Sequence, residues 1–113
     1  MATRDELIER YADDLREKCG VEPDMTLLRR ITSDCEPEIH APDGARVAKS
    51  DGDELRRVEH EFLIGKLGLP DDESLMGGIQ KAIRVYGRDD PYKYRVVVYY
   101  LLVRHFGKED VYA

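Results

Sequence analysis

The sequence predicts an all-α protein, a compact single domain of about five helices spanning residues 1–113. Three observations support this fold class. Apolar residues recur at the three- and four-residue spacing of amphipathic helices. Each such segment is bounded by capping residues, glycine or proline. The chain is also long enough for one hydrophobic core and too short to expect two. We expect the other helices to pack around the apolar helix nearest the C-terminus.

That central helix is predicted from Asp90 to Gly107, the most apolar and aromatic part of the chain. Its run of eight apolar residues, Val96 to Val103, has a length that suits a buried strand as well as a buried helix. Asp90 as N-cap, Pro91 at the first helical position and Gly107 as C-cap favour the helix. Three consecutive valines favour a strand, because β-branched side chains lose freedom in a helix.

Four further helices are predicted upstream. The first covers Thr3 to Cys19 and opens with a capping box between Thr3 and Glu6. The second runs from the N-cap Asp24 to about Asp34. The third covers Ser50 to Leu67 and is stopped by the sequence Gly-Leu-Pro, and the fourth covers Asp72 to Tyr86.

The pair Gly77-Gly78 lies inside the fourth helix, where each glycine should cost about 1 kcal/mol relative to alanine. Close approach of another helix backbone would offset this cost, and a flexible point used in binding is the alternative. At the C-terminus we expect Val111 and Tyr112 to fold back onto the domain, although an exposed docking peptide is also compatible with the sequence.

The longest connection covers residues 36–49 and contains Pro37, Pro42 and the turn Asp43-Gly44. Connections of more than about 12 residues in a compact domain are either functional or held by a few apolar anchors. Three residues in this connection are candidate anchors: Ile39, Val47 and Ala48. A binding role for the connection stays open beside this interpretation.

The charge distribution excludes some classes of partner. The formal net charge is −6, and residues 1–60 hold 16 acidic against 10 basic residues, whereas residues 61–113 hold 8 of each. We therefore expect no nucleic-acid partner, because such binding needs a basic patch. No apolar stretch is long enough to span a bilayer, so we expect no membrane partner and a cytoplasmic location, with Cys19 and Cys35 as reduced thiols.

No motif predicts a catalytic site or a cofactor. Both possible registers of a calcium loop, one starting at Asp51 and one centred on Gly44, lack the required oxygen ligands. Cys35 and His40 could meet at a zinc ion, but Cys19, His60 and His105 have no paired spacing that would complete the site. Cys35 with His40 or His60 is the one Cys/His combination for a nucleophile, and no glycine turn or oxyanion feature supports it. We therefore expect a protein that is not an enzyme.

The tyrosines suggest where a partner could bind. The chain has seven tyrosines and no tryptophan, and four of the tyrosines lie between Tyr92 and Tyr100. Tyrosine rings can pack in a core with their hydroxyl groups at the surface, and they are equally suited to protein interfaces. The candidate interaction surface comprises Tyr99, Tyr100, Tyr112 and His40.

The leading hypothesis is a small interaction or regulatory domain that acts as a monomer or homodimer. Its last helix, its tail or the long connection would bind an unknown protein partner or a second copy. The alternative is a small-molecule or metal-binding protein with its site near the connection over residues 35–49.

Three segments resemble a known family: RDELIERYA at residues 4–12, FLIGKLGL at residues 62–69, and YKYRVVVYYLLVRHFGKE at residues 92–109. Together they are similar to a family of small uncharacterised bacterial proteins, each little more than one domain. The resemblance implies an all-helical fold, with helix pairs that could be arranged as in EF-hand proteins but without the calcium loops. It implies no activity and no site residues, because the family is a domain of unknown function.

Overall fold

The computed structural model describes residues 3–36, 38–41, 45–47, 52–87 and 93–113. Over these ranges the chain is helical, with one isolated β-bridge and no strand, which confirms the predicted all-α fold class. The helices are α1 (Arg4–Glu17), α2 (Met25–Asp34), α3 (Gly52–Arg57, continued by π-helical turns over Val58–Lys66), α4 (Glu73–Gly87) and α5 (Arg95–Phe106). Two short 3-10 turns cover Glu38–His40 and Glu109–Tyr112.

Helix α5 forms the centre of the domain, as predicted, because α1, α2 and α4 all pack against it. Five of its side chains are completely buried: Val96, Val97, Val98, Leu102 and Val103. Burying a valine side chain contributes roughly 1.5 kcal/mol or more, whereas its helix propensity is at most about 0.7 kcal/mol worse than that of alanine. Burial therefore accounts for a helix at three consecutive valines.

The start of α5 corrects the sequence prediction. Asp90 and Pro91 lie outside the described residues, but Tyr94 is extended (φ −62°, ψ 132°) and is the N-cap, so the helix begins at Arg95. The Tyr94 amide donates a hydrogen bond to the Tyr86 hydroxyl (3.2 Å). This hydroxyl in turn donates to Asp14 on α1. Tyr94 is thus held outside the helix by contacts with α1 and α4.

A distant part of the chain also fixes this start. The Val47 amide donates to the Lys93 carbonyl (2.9 Å), and the Arg95 amide donates to the Ala45 carbonyl (2.9 Å). These bonds join the long connection to the residues that precede α5. Local sequence signals contain no information on such a pairing, which explains the misplaced boundary.

The N-terminal caps of α1 and α2 follow the prediction, whereas α1 ends at Glu17 with Lys18 as its C-cap, two residues before the predicted end at Cys19. The Thr3 hydroxyl accepts from the Glu6 amide (3.2 Å), and the Glu6 carboxylate accepts from the Thr3 amide (3.4 Å), which completes the capping box. The Asp24 carboxylate accepts from the Leu27 amide (3.2 Å). The predicted apolar face of α1 is buried except for Cys19, which is half-buried.

The third helix contains a feature that was not predicted, the π-helical segment Val58–Lys66. Four buried residues lie along it and just after it: Val58, Phe62, Leu63 and Leu67. An α-helix turns about 100° per residue, so Val58 and Leu67 would lie on opposite sides. A π-helix turns about 82° per residue and brings all four residues to within about a quarter turn. The wider helix therefore gives α3 a single apolar face.

Helix α4 ends at Gly87, one residue later than predicted, and its glycine pair has two different environments. A Cβ atom on Gly78 would lie 2.5 Å from Cζ of Phe106, whereas a Cβ atom on Gly77 would meet nothing within 4 Å. The atoms nearest to the Gly78 position belong to the Phe106 and His105 side chains of α5, so Gly78 makes room for these side chains rather than for the predicted helix backbone. Gly77 has no such packing role.

The connection and the tail are both attached to the domain. Ile39 and Val47 are 3% and 1% exposed, which confirms two of the three anchors, while Ala48 lies outside the described residues. The Tyr112 carbonyl accepts from the Arg30 guanidinium (2.6 Å), so the tail folds back as expected. Val111 does not follow that expectation, because it is 38% exposed. Among the described helices, none is both long and apolar enough to cross a membrane.

Candidate functional site

A groove of about 400 Å³ opens between α4 and α5. Its floor is apolar and includes Gly78, Ala82 and Val85 from α4, Leu101 from α5, and Val21 from the connection between α1 and α2. Val85 is 36% exposed, one of the two exposed large apolar side chains among the described residues. The groove therefore offers apolar surface to a binding partner.

The charged side chains at the rim of the groove, Lys81 and Arg104, are both cationic. Lys81, Arg104 and His105 are all exposed, and no carboxylate is among the lining residues. Within the described part of the chain, Lys81 and His105 have no ion-pair partner. Arg104 lies 3.5 Å from Glu109, but both side chains are more than 40% exposed, and such pairs contribute at most about 1 kcal/mol. The rim is therefore accessible to an anionic group.

Two grooves beside α1 differ in character. One has a volume of about 360 Å³ and is lined by Glu9, Asp13 and Arg16, and another has about 520 Å³ and is lined by Asp5, Glu9 and Arg29 among others. Each carries both signs of charge, so its cations already have anionic neighbours. The combination of an apolar floor with an entirely cationic rim distinguishes the groove between α4 and α5.

The predicted interaction residues Tyr99 and Tyr100 point to different neighbours. Tyr100 lines the groove but is only 1% exposed, and its hydroxyl accepts from the Asp24 amide (2.8 Å). Tyr99 stacks on Phe62, with ring centroids 3.7 Å apart, and its hydroxyl accepts from Arg95 (3.0 Å). Both rings therefore pack within the domain, and Tyr100 alone of the two lines the groove.

The other two predicted residues also lie apart from the groove. Tyr112 is 7% exposed, and its hydroxyl donates to Asp34 (3.3 Å) while the Lys66 ammonium lies 5.4 Å from its ring centre. His40 is exposed on the Glu38–His40 turn. Of the four predicted residues Tyr100 alone lines the groove, and the interaction role of Tyr99, Tyr100, Tyr112 and His40 stays a prediction.

Sequence reasoning missed Lys81, Arg104 and Val85. The sequence did contain a signal for a positively charged surface, because neither Leu75–Gly87 nor α5 contains an Asp or Glu. Only the helix pairing shows that these two segments lie side by side.

A second polar cluster lies inside the protein. Arg95 is 6% exposed, its guanidinium pairs with the Glu54 carboxylate, and it donates to the Tyr99 hydroxyl and to the Arg46 carbonyl (3.2 Å). This arrangement links α3, the connection and α5. Because its groups are engaged with one another and little exposed, we assign it to stability rather than to ligand binding.

Cys35 does not have the properties of a nucleophile. It is 5% exposed, and burial raises the pKa of its thiol to about 12, while burial raises the pKa of Cys19 to about 11. Nucleophilic attack and metal binding both require the thiolate. Among the described residues no group of three or more His, Cys, Asp and Glu side chains is arranged to hold a metal ion. The alternative site near residues 35–49 stays a prediction, since part of that segment lies outside the described residues.

A comparison with known protein families identifies the family of this chain. The sequence model of the family described as "Protein of unknown function (DUF2853)" matches residues 10–110. The chain belongs to this family. The DUF2853 match covers α2 to α5 completely, so it includes every residue that lines the groove. It confirms the resemblance to a domain of unknown function and supplies no site residues. A comparison with curated proteins finds no match.

Proposed function

We propose that this DUF2853 protein is a small interaction module without catalytic chemistry of its own, and that a partner protein binds in the groove between α4 and α5. The observation that carries the proposal is the exposed Val85 beside the accessible cations Lys81 and Arg104. An apolar patch with a polar rim is the usual anatomy of a protein-binding surface.

The lining of the groove supports binding rather than catalysis. Its titratable side chains are Lys81, Arg104, His105 and Tyr100, and the Tyr100 hydroxyl is engaged with the backbone of Asp24. No lining residue is a cysteine, serine, aspartate or glutamate, so the lining offers His105 neither a thiol or serine hydroxyl to activate nor a carboxylate to orient its ring.

We further propose that the protein acts in the cytoplasm, where Cys19 and Cys35 would stay reduced. Both thiols are free in the structure. A second copy of the chain remains a candidate partner beside an unrelated protein.

The proposal is tested by selecting binding peptides from a random displayed library with the whole chain as bait. We expect the selected peptides to lose most of their affinity for the Val85→Glu variant, because this change places a carboxylate at the edge of the apolar floor. Val111→Glu is the matched control, since Val111 is equally exposed and does not line the groove. Both variants should fold, because each change is on the surface.

Equal binding to the two variants would show that the groove is not the docking site. Failure to enrich any peptide would contradict the role as a peptide-binding module. Thermal melts of both variants, followed by circular dichroism, verify that lost binding does not reflect unfolding.

A further inference from the structure

We infer that the segment bound in this groove is acidic and amphipathic, with apolar side chains on the floor and Asp or Glu side chains at the rim. This inference rests on the proposed function, because it names the chemistry of the partner for the same groove. The preference for an acidic segment is a separate claim, since a peptide-binding groove could equally prefer neutral or basic partners.

Charge segregation along the chain is the first support. The 25 residues of Leu75–Gly87 and Arg95–Phe106 contain no Asp or Glu, although an even spread of the chain's 24 acidic residues would place about five there. The same stretches contain Lys81, Arg84, Arg95, Arg104 and His105. No carboxylate on these two helices therefore offsets Lys81 or Arg104, and the Glu109 partner of Arg104 lies in the exposed turn after α5.

The placement of the cations is the second support. Lys81 lies on α4, whereas Arg104 lies on α5, so each of the two helices that line the groove supplies a positive charge. A segment lying in the groove would meet a cation on either side. Arg104 can bind a carboxylate through two parallel hydrogen bonds, and the flexible Lys81 can reach carboxylates at several positions.

The contrast with the rest of the protein is the third support. The chain as a whole carries a net charge of −6, and its excess of acidic residues lies in residues 1–60. The excess of negative charge in residues 1–60 therefore disfavours an acidic segment there, whereas the charged lining of the groove favours one. Such complementarity mainly sets specificity and the association rate. The same net charge disfavours a nucleic acid, which needs a broader basic surface.

The volume limits the size of the occupant. About 400 Å³ is near the lower end of the range for ligand pockets, roughly 300–1,000 Å³. The groove thus has room for a few anchoring side chains, while the remainder of the partner segment lies across the exposed rim. A short peptide segment fits this shape.

The test uses three synthetic peptides of equal length with the same apolar anchors. The flanking positions carry four Glu residues in the first, four Gln in the second and four Lys in the third. Each peptide is titrated into the ¹⁵N-labelled whole chain, and amide shifts give both the affinity and the location. We expect the Glu peptide to bind at least tenfold more tightly than the Lys peptide and to shift the amides of Gly78, Ala82, Leu101 and His105.

Two variants show whether the rim causes the preference. Lys81→Glu should reduce the affinity for the Glu peptide at least fivefold and raise that for the Lys peptide. Arg84→Glu makes the same charge change on the same helix but outside the groove lining, and it should have a much smaller effect. Raising the salt concentration from about 0.05 M to 0.3 M should weaken the Glu peptide most, because salt screens exposed charges.

The possible failures are distinguishable. Equal binding of the three peptides at the groove amides would overturn the acidic preference and leave the proposed function standing. No shift of groove amides with any peptide would overturn both. A titration with decanoate, an aliphatic carboxylate, tests the small-molecule alternative. If decanoate shifts the groove amides and none of the peptides does, the groove binds small amphiphiles and the inference is overturned.

Discussion

Replacing Glu54 with glutamine is expected to lower the free energy of unfolding by about 3 kcal/mol, because it removes the carboxylate that faces a buried guanidinium. The side chains of Arg95 and Glu54 are only 8% and 14% exposed. Breaking a buried pair by removing one partner typically costs about 3–5 kcal/mol. The hydrogen bonds from Arg95 to the Tyr99 hydroxyl and to the Arg46 carbonyl remain in the variant. We therefore expect a loss of stability near the lower limit of this range.

The measurement is equilibrium unfolding in urea, followed by circular dichroism. Glu61→Gln is the matched control, since Glu61 pairs with Arg57 at 3.8 Å but both side chains are more than 60% exposed. Exposed pairs of this kind contribute about 0–1 kcal/mol. Similar small losses in the two variants would contradict the structural role that we assign to the buried pair.

The substitutions Gly78→Ala and Gly77→Ala are expected to change the stability of the protein in opposite directions. A Cβ atom at position 78 would lie 2.5 Å from Cζ and 2.7 Å from Cε2 of Phe106, so the Phe106 ring must shift. Forcing extra volume into a packed site costs about 1–3 kcal/mol, which exceeds the helix-propensity gain of about 1 kcal/mol. Position 77 is exposed and open, so only that gain applies there.

The two melting temperatures provide the measurement. We expect Gly77→Ala to raise the melting temperature by several degrees and Gly78→Ala to lower it. If both variants are stabilised to the same extent, the close approach of α4 and α5 at Gly78 is not the reason for the glycine. Because Gly78 also lines the groove, the comparison of the two variants tests the spacing of α4 and α5, the helices that form the groove.

Local signals in the sequence predicted most of the helices. Caps such as Thr3 and Asp24 act within one turn of the chain, so short-range reasoning can identify them. The start of α5 was misplaced because Tyr94 is held by Tyr86 and by the pairing with residues 45–47, which are distant in sequence. The π-helical turns of α3 were missed because the apolar spacing was read with the period of an α-helix.

The candidate site was less predictable than the fold. Tyrosine content directed attention to Tyr99, Tyr100 and Tyr112, but sequence alone does not distinguish a ring that packs in the core from one that lies at an interface. The cations of the groove lie on two helices, and Lys81 and Arg104 are 23 positions apart. The apolar and charged groups become one site only when α4 packs on α5.

We propose above all that a partner binds in the groove between α4 and α5 in the cell. The most direct measurement places a photo-crosslinking amino acid at Val85, or at Val111 as control, in the protein produced in its own host cells. We predict a crosslinked species heavier than the 13.0 kDa chain from position 85 and none from position 111, with the species lost when Lys81→Glu is added. Absence of a species at position 85, equal crosslinking from both positions, or a species that persists with Lys81→Glu would contradict the claim.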